Sequence, residues 1–253
     1  EIDETNLLAS FDAGKRGLEA EEAVAALGLT IGHWPQSIEI STVGGWISTR
    51  AAGQFSTAYG NIEDIVYSIE AVMPNGDLVQ LGKAPRAAAG PDLRHILLGA
   101  EGIMGIVTGV TLALRRQPEK RAFTVFYTPS LSAGFEAQRA IVQSDWLPPV
   151  MRQYDAAEVT RNFRDLTVET ANDRGLLLMV HEGPASRVAA ELEAVAAIAA
   201  EHGLEPAPEE VGPHWMKGRN HVPAWRDLFE RNLIVDTIQV SASWSPIEAN
   251  YDE

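Results

Sequence analysis

The segment from Ser41 to Gly53 reads Ser-Thr-Val-Gly-Gly-Trp-Ile-Ser-Thr-Arg-Ala-Ala-Gly and consists mostly of small residues. Adjacent glycines let a backbone approach a ligand closely and adopt turn conformations that a side chain would forbid. Successive main-chain N–H groups in such a loop can form an anion-binding nest. The same composition also fits a tight turn between buried elements. Hydroxyl groups on this segment come from Ser41, Thr42, Ser48 and Thr49.

A second glycine-rich segment spans Gly99 to Thr108, with three glycines placed around Glu101. Glycine at this density exposes main-chain N–H and C=O groups that can hydrogen-bond a planar heterocycle or a ribose. The segment precedes a predicted strand, whereas the GxGxxG dinucleotide fingerprint joins a strand to a helix. It also lacks the Lys-Ser/Thr pair of a Walker loop. Together the two segments indicate a nucleotide-like ligand.

Composition narrows the function further. The 253 residues carry a formal net charge of −15, which disfavours binding to nucleic acid. There are no cysteines, so thiolate chemistry is excluded, and the six histidines lack the spacing of a metal site. No run of about eighteen apolar residues indicates a transmembrane segment. We therefore expect no nucleic acid, no metal and no membrane span.

The chain divides in the sequence into a first domain at residues 1–116 and a second at residues 121–253, joined by a linker from Arg115 to Lys120. Helices are predicted in the first domain over Leu18–Leu27 and Leu93–Leu98. Strands are predicted over Ile65–Met73, Leu78–Leu81 and Ile106–Leu114. In the last strand we expect one face to carry Ile106, Val110, Leu112 and Leu114.

The second domain alternates strands with helices, which favours an α+β sandwich with helices on one face of an antiparallel sheet. Its end, without a closing element, is expected to be incomplete. The predicted strands are Ala122–Tyr127, Val150–Tyr154, Leu176–Val180 and Ile234–Val240. The predicted helices are Ser132–Gln143, Ala156–Phe163 and Ser186–His202.

Three motifs in order resemble a known family. They are Pro35 to Trp46 (PQSIEISTVGGW), Ser48 to Ala51 (STRA) and Tyr59 to Asp64 (YGNIED). The sequence is similar to the vanillyl-alcohol-oxidase type of FAD-binding enzymes, with its PCMH-type α+β domain. Within that family it resembles the alkyldihydroxyacetonephosphate synthases, also called alkylglycerone-phosphate synthases. The FAD-linked D-2-hydroxyacid dehydrogenases share the Ser-Thr-x-Gly-Gly and Glu-Gly-x-x-Gly elements.

The resemblance implies a non-covalently bound FAD. The two stretches that would line the pyrophosphate and the isoalloxazine are Gln36, Ser37, Ile38, Glu39, Ile40, Ser41 and Thr42, followed by Thr49, Arg50, Ala51 and Ala52. The stretch that would hold the adenosine end through main-chain groups is Glu101, Gly102, Ile103, Met104, Gly105, Ile106 and Val107. The chain departs from the family at Ala100, Ile103 and Ala52, where hydroxyl residues are usual, and each loss is worth ~1 kcal/mol.

The function implied by the resemblance is exchange of the acyl chain of an acyl-dihydroxyacetone phosphate for a fatty alcohol in ether-lipid synthesis. One alternative is an FAD-linked D-2-hydroxyacid dehydrogenase or oxidase of the D-lactate type. A second is a non-catalytic FAD-fold module. The resemblance also implies that the first pyrophosphate loop precedes Glu1, and that the catalytic tyrosine and histidines follow Glu253. A small-molecule or lipid substrate and a homodimer are expected, and in a bacterium a cytoplasmic or membrane-peripheral location.

Arg152 is the substrate-binding candidate, because the resemblance places the matching arginine near the flavin and the substrate. The alternative is a surface ion pair with Asp155. Arg219 and Arg226 are further candidates for an anionic head group. We expect His33 to pack beside the cofactor segment, and His181 with Glu182 to lie in a solvated loop.

Overall fold

The computed structural model describes residues 1–82, 88–167, 173–221, 224–235 and 239–252. The chain divides into two compact units, Glu1–Pro118 and Glu119–Glu253. The boundary between them lies within the segment predicted as a linker. The start of that segment is nevertheless ordered, because Arg115–Arg116 form a short strand that pairs with Leu29–Thr30.

The first unit contains seven strands and four α-helices among its described residues. The strands are β1 (Ile2–Asp3), β2 (Leu8–Asp12), β3 (Leu29–Thr30), β4 (Val66–Val72), β5 (Leu78–Leu81), β6 (Ile106–Ala113) and β7 (Arg115–Arg116). The helices are α1 (Gly17–Ala25), α2 (Val43–Thr49), α3 (Ser56–Tyr59) and α4 (Ile62–Ile65). A 3₁₀ turn at Leu93–Ile96 takes the place of the helix predicted over Leu93–Leu98.

An antiparallel sheet with the order β1-β2-β6-β4-β5 forms the centre of this unit. Alternate residues of a strand point to opposite faces, so one face of β2, β4 and β6 is apolar and lies against the helices. The large side chains of Trp46 and Ile47 on α2 are fully buried in the same core as Ile69 and Leu112. The helix α2 is therefore held on the sheet by its own apolar face.

A β-bulge changes the expected pattern of β6. Glu70 pairs with Gly109 and Ala71 with Val107, so Thr108 is an extra residue on β6. A bulge of one residue reverses the alternation of side chains. Val110, Leu112 and Leu114 are buried as predicted, but Ile106 is 68% exposed and its neighbour Val107 packs on the core. The prediction that Ile106 shares the buried face was wrong for this reason.

The second unit contains four strands and six helices among its described residues. The strands are β8 (Lys120–Thr128), β9 (Val150–Tyr154), β10 (Gly175–Gly183) and β11 (Glu205–Pro206). The helices are α5 (Leu131–Gln143), α6 (Ala156–Thr167), α7 (Ala185–Glu201), α8 (Val211–Gly218), α9 (Trp225–Glu230) and α10 (Ile247–Asp252). The antiparallel sheet has the order β11-β8-β10-β9, so β8–α5–β9 and β10–α7–β11 interleave as in a split βαβ fold.

Helices cover both faces of this second sheet, which corrects one detail of the predicted α+β arrangement. Leu177 and Met179 on β10 share a core with α5 and α7. Alternate residues of β10 face the opposite side of the sheet. On that side Tyr154 of β9 packs edge-on against Phe163 of α6, with the ring centroids 5.1 Å apart. The strand predicted over Ile234–Val240 is absent at its described residues, and residues 236–238 lie outside the described part of the chain.

Because α2 packs against the Ala13–Lys15 turn, its two glycines should differ in how well each tolerates substitution by alanine. A Cβ at Gly44 would lie 2.6 Å from the Cβ and 3.0 Å from the carbonyl oxygen of Ala13, whereas at Gly45 the nearest atom is the Thr42 Oγ1 at 3.1 Å. We expect Gly44→Ala to lower the free energy of unfolding by about 1–3 kcal/mol through overpacking. Gly45→Ala should stay within about 1 kcal/mol, because alanine favours the helix. Urea unfolding of both variants without ligand tests this, and equal stability would contradict the described contact.

Candidate cofactor site

The segment predicted as a glycine loop is in fact the helix α2, and its first amides are already engaged. The N–H groups of Val43 and Gly44 donate to the carbonyls of Lys15 and Ala13 at 2.9 and 2.8 Å. The N–H of Gly45 donates to Thr42 Oγ1 at 3.1 Å, which makes Thr42 the N-cap. The expectation of a nest of free amides is therefore wrong here. The glycines serve instead to bring α2 close to the Ala13–Lys15 turn.

The C-terminal end of α2 holds the second glycine-rich segment. The helix ends at Arg50, whose φ of 52° is left-handed. Two carbonyls of the last turn then accept hydrogen bonds from the other segment: Gly99 N–H donates to Ile47 O at 2.9 Å and Glu101 N–H to Ser48 O at 3.0 Å. Last-turn carbonyls have no partner within a helix, so this pairing satisfies them. It also fixes residues 99–107 alongside α2.

An open groove of roughly 520 Å³ lies between these elements. Small residues and hydroxyls dominate its walls, which suits a ligand bound largely through backbone contact. Its lining consists of Ala13, Gly14, Thr42, Gly44, Gly45, Ser48, Thr49, Glu101, Gly102, Gly105, Ile106 and Val107. The structure thus brings together members of all three stretches assigned to FAD.

Some lining residues were not assigned from the sequence. Ala13 and Gly14 follow β2 in a short turn, and a single glycine there gave no usable signal. Gly44, Gly45 and Ser48 lie within the quoted motif, but only the pairing of α2 with residues 99–101 shows that they face the groove.

Several residues assigned to FAD do not line the groove. Ile38 is fully buried in the core, Ile40 is 72% exposed, and Ser41 Oγ accepts a hydrogen bond from the Trp46 indole at 2.9 Å. The other assigned residues outside the groove are Gln36, Ser37, Glu39, Arg50, Ala51, Ala52, Ile103 and Met104. Their assignment stays a prediction, and of the first stretch only Thr42 lines the described groove.

The groove fits a flavin dinucleotide in two respects. A Cβ at Gly14 or at Gly102 would meet no atom within 4 Å, so both positions open onto free space that a ligand can occupy. The φ of Gly102 is 87°, a conformation that only glycine adopts readily. Hydroxyls of Ser48 and Thr49 donate to the carbonyls of Gly44 and Gly45, which holds both side chains close to α2.

His33 lies behind α2 and packs as expected. Its ring meets the Trp46 ring edge-on with centroids 4.7 Å apart, and it is fully buried. Burial lowers the pKa of His33 to about 4, so the imidazole is neutral near pH 7. Both ring nitrogens are without a hydrogen-bond partner among the described residues. The ring of His33 is thus neutral and packs against Trp46.

Arg152 lies on the face of the second sheet that α6 and α8 cover. Its guanidinium lies 5.9 Å from the centroid of the Trp215 ring on α8. Burial raises the pKa of the neighbouring Tyr154, although the positive charge of Arg152 acts to lower it. The alternative of an ion pair with Asp155 is absent from the described contacts, since Asp155 accepts from the Glu158 N–H and the Tyr251 hydroxyl.

The other two candidates in the second unit, Arg219 and Arg226, lie in different surroundings. Arg219 is the C-cap of α8. Its pKa is lowered by burial and, to a smaller extent, by the positive charge of Arg121. Arg121 forms an ion pair with the buried carboxylate of Glu182. Arg226 is exposed on α9.

The expectation of a solvated loop at residues 181–182 was wrong. His181 is fully buried within β10, where Nδ1 lies 2.7 Å from Glu191 Oε1 and Nε2 lies 2.9 Å from Thr124 Oγ1. Glu182 is also buried on that strand. The strand continues for three residues beyond the apolar run that was used to predict it, which carries both polar side chains into the interior.

Comparison with known proteins supports FAD as the ligand of this unit. Residues 1–82 match the family model described as FAD binding domain. The chain thus contains an FAD-binding domain of the type found in FAD-linked oxidoreductases, and FAD is its cofactor.

Three relatives indicate the range of activities. The chain is 33% identical to the uncharacterized FAD-linked oxidoreductase YgcU of Escherichia coli O157:H7, over 99% of the chain and 52% of that protein. It is 39% identical to alkyldihydroxyacetonephosphate synthase of Caenorhabditis elegans, over 61% of the chain and 26% of that protein. It is 30% identical to glycolate oxidase subunit GlcD of Bacillus subtilis, over 78% of the chain and 43% of that protein. The chain spans about half the length of YgcU.

A solved structure of an alkyldihydroxyacetonephosphate synthase has the same fold. Its TM-score is 0.76 at 28% identity, and the match covers 87% of this chain and 43% of that chain. Within the part of the chain that the structure describes, every helix is too short or too polar to cross a bilayer.

Loss of the Thr42 hydroxyl should weaken both the helix and the groove. We expect Thr42→Val to lower the free energy of unfolding by about 1 kcal/mol, because the Gly45 N–H loses its cap. Its affinity for FAD should fall as well, since Thr42 lines the groove. Thr42→Ser, which keeps the hydroxyl, should restore both properties. Urea unfolding and flavin fluorescence titration measure them, and a valine variant that matches the parent in both would refute the capping role.

Proposed function

We propose that the intact protein is an FAD-dependent transferase of the alkyldihydroxyacetonephosphate synthase type. It would exchange the acyl chain of an acyl-dihydroxyacetone phosphate for a fatty alcohol. The observation that carries the proposal is the position of Arg152 against Trp215, on one face of the second sheet, in a chain whose fold matches such a synthase over 87% of its length.

The substrate of this reaction carries a phosphate, which a chain of net charge −15 would repel unless cations are concentrated locally. Arg152 and Arg219 are suited to this task. Trp215 and Arg219 are four residues apart at the end of α8, so they lie on the same side of that helix. The Arg152 guanidinium lies 5.9 Å from the centroid of the Trp215 ring, and the Arg219 guanidinium donates to the Met216 carbonyl, so each lies beside α8.

Each group then has a separate task. Guanidinium pairs with phosphate through two parallel hydrogen bonds, so Arg152 would fix the orientation of the head group as well as its charge. The aromatic face of Trp215 holds Arg152 in place by a cation–π contact. Bound FAD would supply the flavin ring at which the ketone of the substrate is activated. The groove of the first unit would hold FAD through small residues and main-chain groups.

The main alternative is a D-2-hydroxyacid dehydrogenase or oxidase, which the similarity to GlcD favours. Its substrate carries a carboxylate, to which the same arginines can also bind in a bidentate manner. The two proposals differ in what happens to the flavin. A hydroxy acid would reduce it, whereas the exchange reaction leaves no net change in its oxidation state.

An anaerobic assay of the intact protein with FAD separates the two. We expect no bleaching of the visible flavin band by D-lactate or other 2-hydroxy acids. We expect an ether product from acyl-dihydroxyacetone phosphate and a fatty alcohol. Bleaching by a hydroxy acid that an electron acceptor reverses would overturn the synthase proposal and establish the oxidoreductase.

Substitution of Arg152 tests the head-group site in the same assay. Arg152→Gln should raise the KM for the phosphorylated substrate roughly 10–100-fold, because a charge-assisted bidentate contact is lost. Arg152→Lys should restore it only in part, since lysine offers a point charge without the planar fork. Arg139→Gln is the control, because Arg139 lies on α5 at the opposite face and pairs with Glu136. An Arg152→Gln variant with the kinetics of this control would remove Arg152 from the proposal.

A further inference from the structure

A buried carboxylate lies on the same face of the second sheet as Arg152. Leu178 and Glu182 on β10 point to one side of the sheet, because they are an even number of residues apart. Leu178 is paired with Arg152 on β9. Glu182 is paired with Arg121 on β8. The two arginines and the carboxylate therefore share the face that α6 and α8 cover.

The helix α8 connects the two ends of this face. Trp215 lies at the Arg152 end, with the guanidinium 5.9 Å from its ring centroid. Arg219 follows four residues later, about 6 Å further along the helix axis. The charges of Arg121 and Glu182 both act on the Arg219 guanidinium. The helix thus brings Arg219 close to the Arg121–Glu182 pair, roughly one helical turn from the Arg152 contact.

The carboxylate of Glu182 needs a cation because it is almost completely enclosed. Its side chain is 2% exposed, and an unpaired charge in such surroundings is strongly destabilising. Nε of Arg121 donates to Oε1 of Glu182. The Arg121 side chain is itself 45% exposed, so the pair joins a buried anion to a partly hydrated cation.

Arg219 and Arg121 compete for the attraction of this carboxylate. Burial lowers the pKa of Arg219, the positive charge of Arg121 lowers it further, and Glu182 acts in the opposite sense. Nη1 of Arg219 also donates to the Met216 carbonyl at the end of α8. Two guanidinium groups around one carboxylate carry a net positive charge, which a bound anion would compensate.

We propose that Arg121 is a positioning residue of the head-group site, which offsets the charge of Glu182 and so leaves Arg219 able to bind the anionic head group. Arg121 does not bind the ligand in this role, because it acts by weakening the attraction of Glu182 for Arg219. The inference rests on the proposed head-group site. It concerns an oxyanion in general, so it applies to a phosphate in a transferase and to a carboxylate in an oxidoreductase.

Removal of Arg121 should weaken ligand binding through Arg219. In Arg121→Gln the buried carboxylate of Glu182 would pair with Arg219 and withdraw it from the ligand. We expect the dissociation constant of the head-group ligand to rise roughly 10–100-fold, because a hydrogen bond to a charged group is lost. Arg219→Gln should have an effect of similar size.

A second substitution separates this indirect role from direct contact with the ligand. The double variant Arg121→Gln, Glu182→Gln replaces both charges of the pair by neutral groups of similar shape and removes the competitor for Arg219. It should bind the ligand within about threefold of the parent, a rescue that two independent substitutions would not show. Arg139→Gln is the control, because it breaks an arginine–glutamate pair on the opposite face, and it should bind like the parent.

Isothermal titration calorimetry of the intact protein with FAD measures these constants. Dihydroxyacetone phosphate and pyruvate are the probes, since one carries a phosphate and the other a carboxylate and neither reduces a flavin. The probe that the parent binds is used for every variant. The result is therefore independent of the anaerobic assay above: an ether product would leave the transferase proposal standing if the rescue fails, and flavin reduction by a hydroxy acid would leave the rescue standing.

Rescue of binding in the double variant supports the inference. A double variant as weak as Arg121→Gln would assign Arg121 to direct contact and overturn it. So would an Arg121→Gln or Arg219→Gln variant that binds like the parent, or a parent that binds neither probe. If Arg121→Gln does not fold, the double variant and Glu182→Gln decide: both should bind at least about as tightly as the parent, and a weak double variant beside an unimpaired Glu182→Gln would contradict the indirect role.

Discussion

The cofactor groove depends on the two hydrogen bonds by which the last carbonyls of α2 hold the glycine-rich segment. Ile47 O and Ser48 O accept from Gly99 and Glu101, while the first amides of α2 donate to the Ala13–Lys15 turn. A helix as short as α2 would be only marginally stable in isolation. Here its ends are tied to two loops and its apolar face is buried on the sheet. Helix, turn and loop are thus positioned together, and the groove is the space between them.

The sequence predicted the ligand class and five elements of this unit, namely α1, β4, β5, β6 and the helical turn at Leu93–Ile96, but not how the groove is built. The two glycine-rich segments, separated by about fifty residues, were sufficient to indicate a nucleotide-like ligand. The first was interpreted as a loop because adjacent glycines permit turn conformations and close approach of a ligand. The structure shows a helix, because Trp46 and Ile47 bury large apolar surfaces and because Gly44 permits close contact with Ala13. Such compensation comes from tertiary packing, which local pattern does not reveal.

In the second unit the strands and helices from β8 to α7 were predicted well, whereas the elements after α7 and the polar interior were not. The apolar run of β10 identified the strand, but the strand continues through His181 and Glu182. Both side chains are buried, and the polar contacts with Glu191, Thr124 and Arg121 compensate for that burial. These partners lie on other elements, between 10 and 61 residues away in sequence. The helix α8 likewise could not be placed from its sequence, although it brings Trp215 to Arg152.

The central claim is that FAD occupies the groove between α2 and residues 101–107, and a crystal structure of the intact protein with FAD tests it most directly. The account predicts flavin density along Gly14, Thr42, Gly45 and Gly102, with α2 and its hydrogen bonds to Gly99 and Glu101 unchanged. Density that lies only against Gln36–Ile40, with this groove left to solvent, would contradict it.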